Sequence, residues 1–170
     1  MGASHWQYVT PYKGTVEQSL EALHAQVFQG LYGHDETYQD LEELWEDEEF
    51  MGEEGTHSIL DIDRVVHTTA APSGHHVADY GTLRPLAHER IVHHFGTDRP
   101  TPDQFEEALA QGHAAIGFPS GRAETLRDEC RMRWTGLYVV LYAGDEPTHQ
   151  PTPEPTQQPT HLGIFGFSGD

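Results

Sequence analysis

Hydrophobic and polar positions recur with two different periods along this chain, and the points where the period changes outline its elements. The stretch richest in β-branched residues runs from Thr56 to His67. A period of two there sets Leu60, Ile62 and Val66 on one face and Ile59, Asp61, Asp63 and Val65 on the other, which predicts a core strand carrying two carboxylates on its second face. Trp6 to Tyr12 alternates aromatic and polar residues and stops at Pro11 and Gly14, as an edge strand does. Leu137–Tyr142 and Leu162–Phe167 read as two further strands that should pair antiparallel.

Helical spacing is clearest in Val16, Leu20, Leu23, Val27 and Leu31, which follow a Thr15/Gln18 capping-box pattern and end at Gly30 and Gly33. Tyr38, Leu41, Leu44 and Trp45 keep a narrower apolar stripe and predict a short amphipathic helix between Asp35 and Glu54. Pro85 suits the first turn of a helix running to Gly96 over Leu86, Ile91, Val92 and Phe95. Thr101, Pro102 and Gln104 start the next, with Phe105, Ala108 and Leu109 as its packing positions and Gly112 as its end. A turn at Gly117 to Gly121 precedes a last helix carrying Leu126, Cys130 and Trp134.

Two segments have no period. Residues 68–83 read as a loop around His75 and His76, and 144–160 hold five prolines that cannot donate to a ladder, so this stretch reads as a flexible excursion at a hairpin tip. Grouping the helices between the second and third strands gives an α+β fold. It is a single domain over 1–170, an antiparallel sheet of about four strands with about four helices packed mainly on one face, and a parallel doubly wound sheet is the less favoured option.

Charge changes this picture more than composition does. With 28 acidic and 9 basic side chains the net charge is -19, which argues against nucleic acid or an anionic membrane and for a basic protein partner. Eleven of the carboxylates lie between Asp35 and Glu54 with no Lys or Arg among them. Four of the basic residues, Arg122, Arg127, Arg131 and Arg133, cluster late in the chain, where some are expected to face the acidic helix. The 13 histidines would lift the charge to about -6 when protonated, so solubility should be lowest in weak acid. No apolar run is long enough for a membrane span, nor is there a signal-peptide pattern, and a cytoplasmic protein is expected. The lone Cys130 fits a buried helix face better than a nucleophile.

Three chemistries compete for a site. Asp61 and Asp63, two apart on a strand, offer hard oxygen ligands for a divalent metal, although a wet sheet face has the same pattern. His88, Glu89 and His93 come close to the HExxH zinc pattern but fail it on geometry, because ligands five apart lie about 140° from each other around a helix. A metal-dependent enzyme or metal-binding protein using Asp61, Asp63, His88 and His93 therefore stands as an alternative. A small-molecule pocket lined by Trp6, Tyr8, Tyr138, Tyr142 and Phe165 is a second one. No GxSxG elbow or phosphate loop is present; Ser58 beside His57, and Gly117 to Arg122 ahead of a helix, are common arrangements. The leading expectation is a non-enzymatic, inhibitor- or immunity-like binding protein whose acidic helix, through Glu42, Glu43, Glu46, Asp47 and Glu49, meets a basic surface.

Overall fold

A computed structural model describes residues 4–34, 36–74, 77–115, 124–143 and 158–169, with the backbone alone for 112–115. The proline-rich stretch of 144–157, the turn at 117–121 with Arg122, and His75 and His76 lie outside the described residues.

Five strands form one sheet in the order β1-β5-β4-β3-β2: β1 (Ser4–Pro11), β2 (Arg64–Val65), β3 (Thr82–Pro85), β4 (Thr135–Leu141) and β5 (His161–Ser168). β1 is an edge strand, and β4 pairs antiparallel with β5, both as the alternation predicts. The sheet is nevertheless mixed, because β2, β3 and β4 run parallel while β5 opposes both β4 and β1. The helices are α1 (Val16–Tyr32), α2 (Leu41–Glu46), α3 (Glu48–Glu53), α4 (His88–Phe95) and α5 (Pro102–Ala115).

Several expectations change here. Thr56–His67 is not a core strand. Its residues form a 3₁₀ turn at Ile59–Asp61, and only Arg64 and Val65 join the sheet, at its far edge. Ile59, Leu60 and Ile62 are all fully buried, so both parities point inward, as a compact turn inside a core permits and an alternating strand does not. β3 lies where the residue pattern predicts a loop and the start of a helix. Pro85 ends that strand and the helix begins three residues later at His88. Leu126, Cys130 and Trp134 do not share a helix: Leu126–Glu129 is one 3₁₀ turn, and Trp134 sits at φ 61 before β4. Both capped starts hold. Thr15 accepts from the Gln18 amide, and Thr101 and Gln104 cap each other reciprocally.

The sheet is covered on both faces rather than mainly on one. Even positions of β1, β4 and β5 (Trp6, Tyr138, Leu162, Ile164) pack with Leu20 and Leu23 of α1, Leu44 of α2 and the Ile59–Asp61 turn. Odd positions (Val139, Leu141, Phe165) pack with Phe105 and Leu109 of α5, Leu126 and Cys130. Trp6, Gly166, Gly136 and Leu83 form one row across four strands. The Trp6 indole lies over both glycines, and a Cβ at Gly166 would stand 2.5 Å from it and 2.4 Å from the Thr135 carbonyl. On the other face the Phe105 ring covers Gly163 in the same way.

Candidate functional site

The acidic segment folds as two short helices instead of one, and the reason is local. Asp40 caps α2 by accepting from the Glu43 amide at 2.9 Å, and Asp47, at ψ 80, ends α2 and caps α3 by accepting from the Phe50 amide at 3.0 Å. Two capping aspartates seven residues apart start two helices. Leu44 is fully buried, the Trp45 indole donates to the Leu60 carbonyl at 2.7 Å, and Tyr38 donates its hydroxyl to Asp47 at 2.7 Å. The pair is thereby docked on α1 and on the Ile59–Asp61 turn.

Glu42, Glu43, Glu46 and Glu49 are exposed on these helices, while Asp47 is half-buried. The Phe50 amide first, and then the Tyr38 hydroxyl, hold the Asp47 carboxyl below its ordinary range. Glu43 accepts from the Gln39 amide at 2.6 Å. Asp47 and Glu43 therefore have structural work in addition to facing outward. Among the described residues no ion pair involves a carboxylate of α2 or α3; the pairs all lie elsewhere. Glu42, Glu43, Glu48 and Glu49 occupy first turns, where the helix dipole favours them. Glu46 and Glu53 occupy last turns, which contain no basic residue; a carboxylate is disfavoured at Glu53, whereas Glu46 also directly precedes the N-cap of α3, whose end of the dipole favours it.

Asp61 and Asp63 do not converge. Asp61 is buried and accepts from the Thr56 amide at 2.6 Å, the Thr56 hydroxyl at 2.7 Å and the Ser168 hydroxyl at 2.5 Å, and Ser168 in turn accepts from the Trp6 indole at 3.2 Å. This network ties the 3₁₀ turn to the end of β5. Asp63 is exposed and pairs with Arg64 at 2.8 Å. Beside Asp61, His57 and Trp134 both hold left-handed backbones, at φ 53 and φ 61, with their rings 6.2 Å apart, and His57 Nδ1 is buried without a hydrogen-bond partner.

His88 and His93 are exposed on α4, 3.9 Å from Asp98 and 3.9 Å from Glu124 respectively. The histidine of α4 that enters the protein is His94. It meets Glu129 at 2.8 Å, and Arg90 donates to the same carboxylate at 2.6 Å. Burial alone would raise the Glu129 carboxyl, but the bonds from Arg90 and His94 outweigh it and hold it low. Arg90 and His94 share a helix face by their spacing of four, a signal present in the sequence, whereas their partner lies 35 or more positions away and is not. No group of three His, Cys, Asp or Glu among the described residues is arranged to hold a metal ion.

The five aromatics divide between the faces of the sheet. Trp6, Tyr8 and Tyr138 join the α1 side, Phe165 the α5 side, and Tyr142 lies beneath Arg99 at the end of β4. Arg127 reaches Gln7 and the Leu109 carbonyl, and Arg131 donates to the Asp128 carbonyl. Cys130 is buried, with a thiol that burial pushes up to about 11, so it stays protonated at neutral pH. No described helix is long and apolar enough to cross a membrane. Comparison with protein-family models, with curated proteins and with solved structures finds no match for this chain.

Proposed function

We propose that this chain is a non-enzymatic binding protein that engages a basic protein partner through the acidic face of α2 and α3. The observation that carries the reading is the placement of Glu46 and Glu53. Glu53 sits at a helix end where the dipole opposes it, Glu46 sits between the end of α2 and the N-cap of α3, where the two helix ends act in opposite senses, and no described cation neutralises either. Helix stability accounts for the first-turn acids but not for Glu53. A concentrated patch of one sign, docked on the body through Leu44 and Trp45, accelerates and selects encounter with an oppositely charged surface. An inhibitor or immunity-like protein uses this physics by covering a basic functional surface.

The test replaces Glu42, Glu46 and Glu49 together by Lys, leaving Glu43 and Asp47 to their backbone partners. Wild type and triple variant are used to capture proteins from a cell lysate at low and moderate salt, with circular dichroism as the check on folding. The expected result is a set of basic proteins held by the wild type, released by salt, and absent from the variant. Retention of the same proteins by both baits, or of none by either, removes the proposal.

A further inference from the structure

Resting on the acidic-face reading above, we propose that the basic partner makes its contact with arginine side chains laid over a row of aromatic rings at the end of α1, in preference to lysine. The row runs through four rings. Phe28 and Tyr32 have centroids 5.6 Å apart, Tyr32 meets Tyr38 edge to face at 5.8 Å, and Tyr38 lies 6.4 Å from Phe50. It joins the last turns of α1 to α3, and its inner side packs on the core that contains Leu20, Leu23 and Leu44. All four rings are half-buried. Leu31, which shares a helix face with Phe28 by its spacing of three, is 55% exposed. An apolar surface of this kind with a polar rim marks an interaction site, as single scattered hydrophobic residues do not.

Charge complementarity fixes the sign of what covers it. No Lys or Arg occurs from Gly14 to Asp63, so α1, α2 and α3 bring no such cation of their own to the rings. Asp47 accepts from the Tyr38 hydroxyl at 2.7 Å, and Glu53 follows Phe50 by three positions on α3, so carboxylates stand at this end of the row. At the other end α1 finishes with no basic residue in its last turn, where the helix dipole favours a cation.

Arginine suits this surface better than lysine. Its planar guanidinium stacks on rings and is more weakly hydrated than an ammonium, so it loses less on meeting apolar surface, and its fork stays available to a carboxylate such as Glu53. The methylenes of the same side chain cover Leu31. The chain itself makes one such contact at the end of β4, where Arg99 lies 5.9 Å from the centroid of Tyr142. Aromatic and arginine contacts dominate the centres of interfaces, while charges at the rim serve encounter. The carboxylates of α2 and α3 thus draw the partner in, and the rings select which basic side chains stay.

The experiment measures the binding of oligo-arginine and oligo-lysine peptides of equal length to the full chain at moderate salt. Calorimetry compares wild type with Phe28→Leu, with Tyr32→Leu and with the triple replacement of Glu42, Glu46 and Glu49 by Lys, and circular dichroism checks folding. Oligo-arginine should bind wild type about fivefold or more tightly than oligo-lysine, and each ring replacement should cut that preference by about twofold or more. The triple variant should weaken both peptides alike. Proton spectra of the wild-type complex test the same point without any ring variant, because side-chain protons of arginine laid over rings move upfield. The inference is overturned if the two peptides bind equally, if the preference survives both ring replacements, or if no arginine side-chain proton moves upfield. In those cases the acidic-face reading still stands where the triple variant weakens both peptides. Full affinity in the triple variant removes that reading and this inference with it.

Discussion

Asp61 keeps a carboxylate beneath the surface on hydroxyl and amide donors from Thr56 and Ser168, and what looks in the sequence like half of a ligand pair is a latch between a 3₁₀ turn and the last strand. Titration behaviour at this scale gives a direct prediction. Burial holds His24 below its ordinary value of 6.5, against the opposing carbonyls of Ile59 and Ile62. The unfolded chain therefore binds a proton that the folded one resists, so the stability tied to neutral His24 is complete above pH 6.5 and drains away as the pH falls below it. Glu129 lies below its ordinary value of 4.5, so its contribution is present above that pH and is lost as the pH falls further, through the folded value. Urea denaturation from pH 8 to 4 should show wild type losing stability relative to His24→Gln in the range below 6.5, and a flat difference between the two would show that His24 is not held neutral.

Among the elements, local chemistry and packing part company. Thr15 and Thr101 begin helices where their sequence patterns place them, because a cap is made within three residues. The same rule, applied to Asp40 and Asp47, divides the acidic stretch into α2 and α3, although the apolar stripe alone suggests one helix. Helix-dipole reasoning then separates its carboxylates. Glu53→Lys should raise stability by about 0.3–1 kcal/mol, Glu46→Lys, between the end of α2 and the start of α3, should change it little, and Glu42→Lys, in a first turn, should lower it by about 0.3–1 kcal/mol. Thermal melts at low salt check this, with the differences shrinking as salt is added; a gain from Glu42→Lys equal to that from Glu53→Lys would mean that net charge alone governs the face.

For the whole molecule the decisive feature is a sheet buried on both faces. The row Trp6–Gly166–Gly136–Leu83 exists because two strands surrender their side chains to one indole. Gly166→Ala should therefore cost about 2 kcal/mol or more, since the new methyl meets a backbone carbonyl as well as the ring, whereas Gly52→Ala, in open space on α3, should be neutral or stabilising by up to about 1 kcal/mol. Equal midpoints in urea for the two variants would show that the indole moves aside freely.

Read alone, the chain determines β1, β4 and β5, the antiparallel pairing of the last two, the start of α1 and α5, and the density of carboxylates between Asp35 and Glu54, but not that no described arginine pairs with α2 or α3, where the arginine cluster is expected to face them. These follow from periodicity, from caps within three residues and from residue counts, all properties of neighbours along the chain. Only the tertiary structure decides the rest. β3 is four residues long with an arginine and a proline, too short to show a period, and it becomes a strand by lying between β2 and β4. Ile59, Leu60 and Ile62 take a turn because the core formed by α1 and α2 receives them from every side, so their alternation has no solvent face to describe. Arg90 and His94 of α4 meet Glu129, ahead of β4, because parallel pairing of β3 with β4 brings segments 35 or more positions apart together, which sequence spacing does not encode.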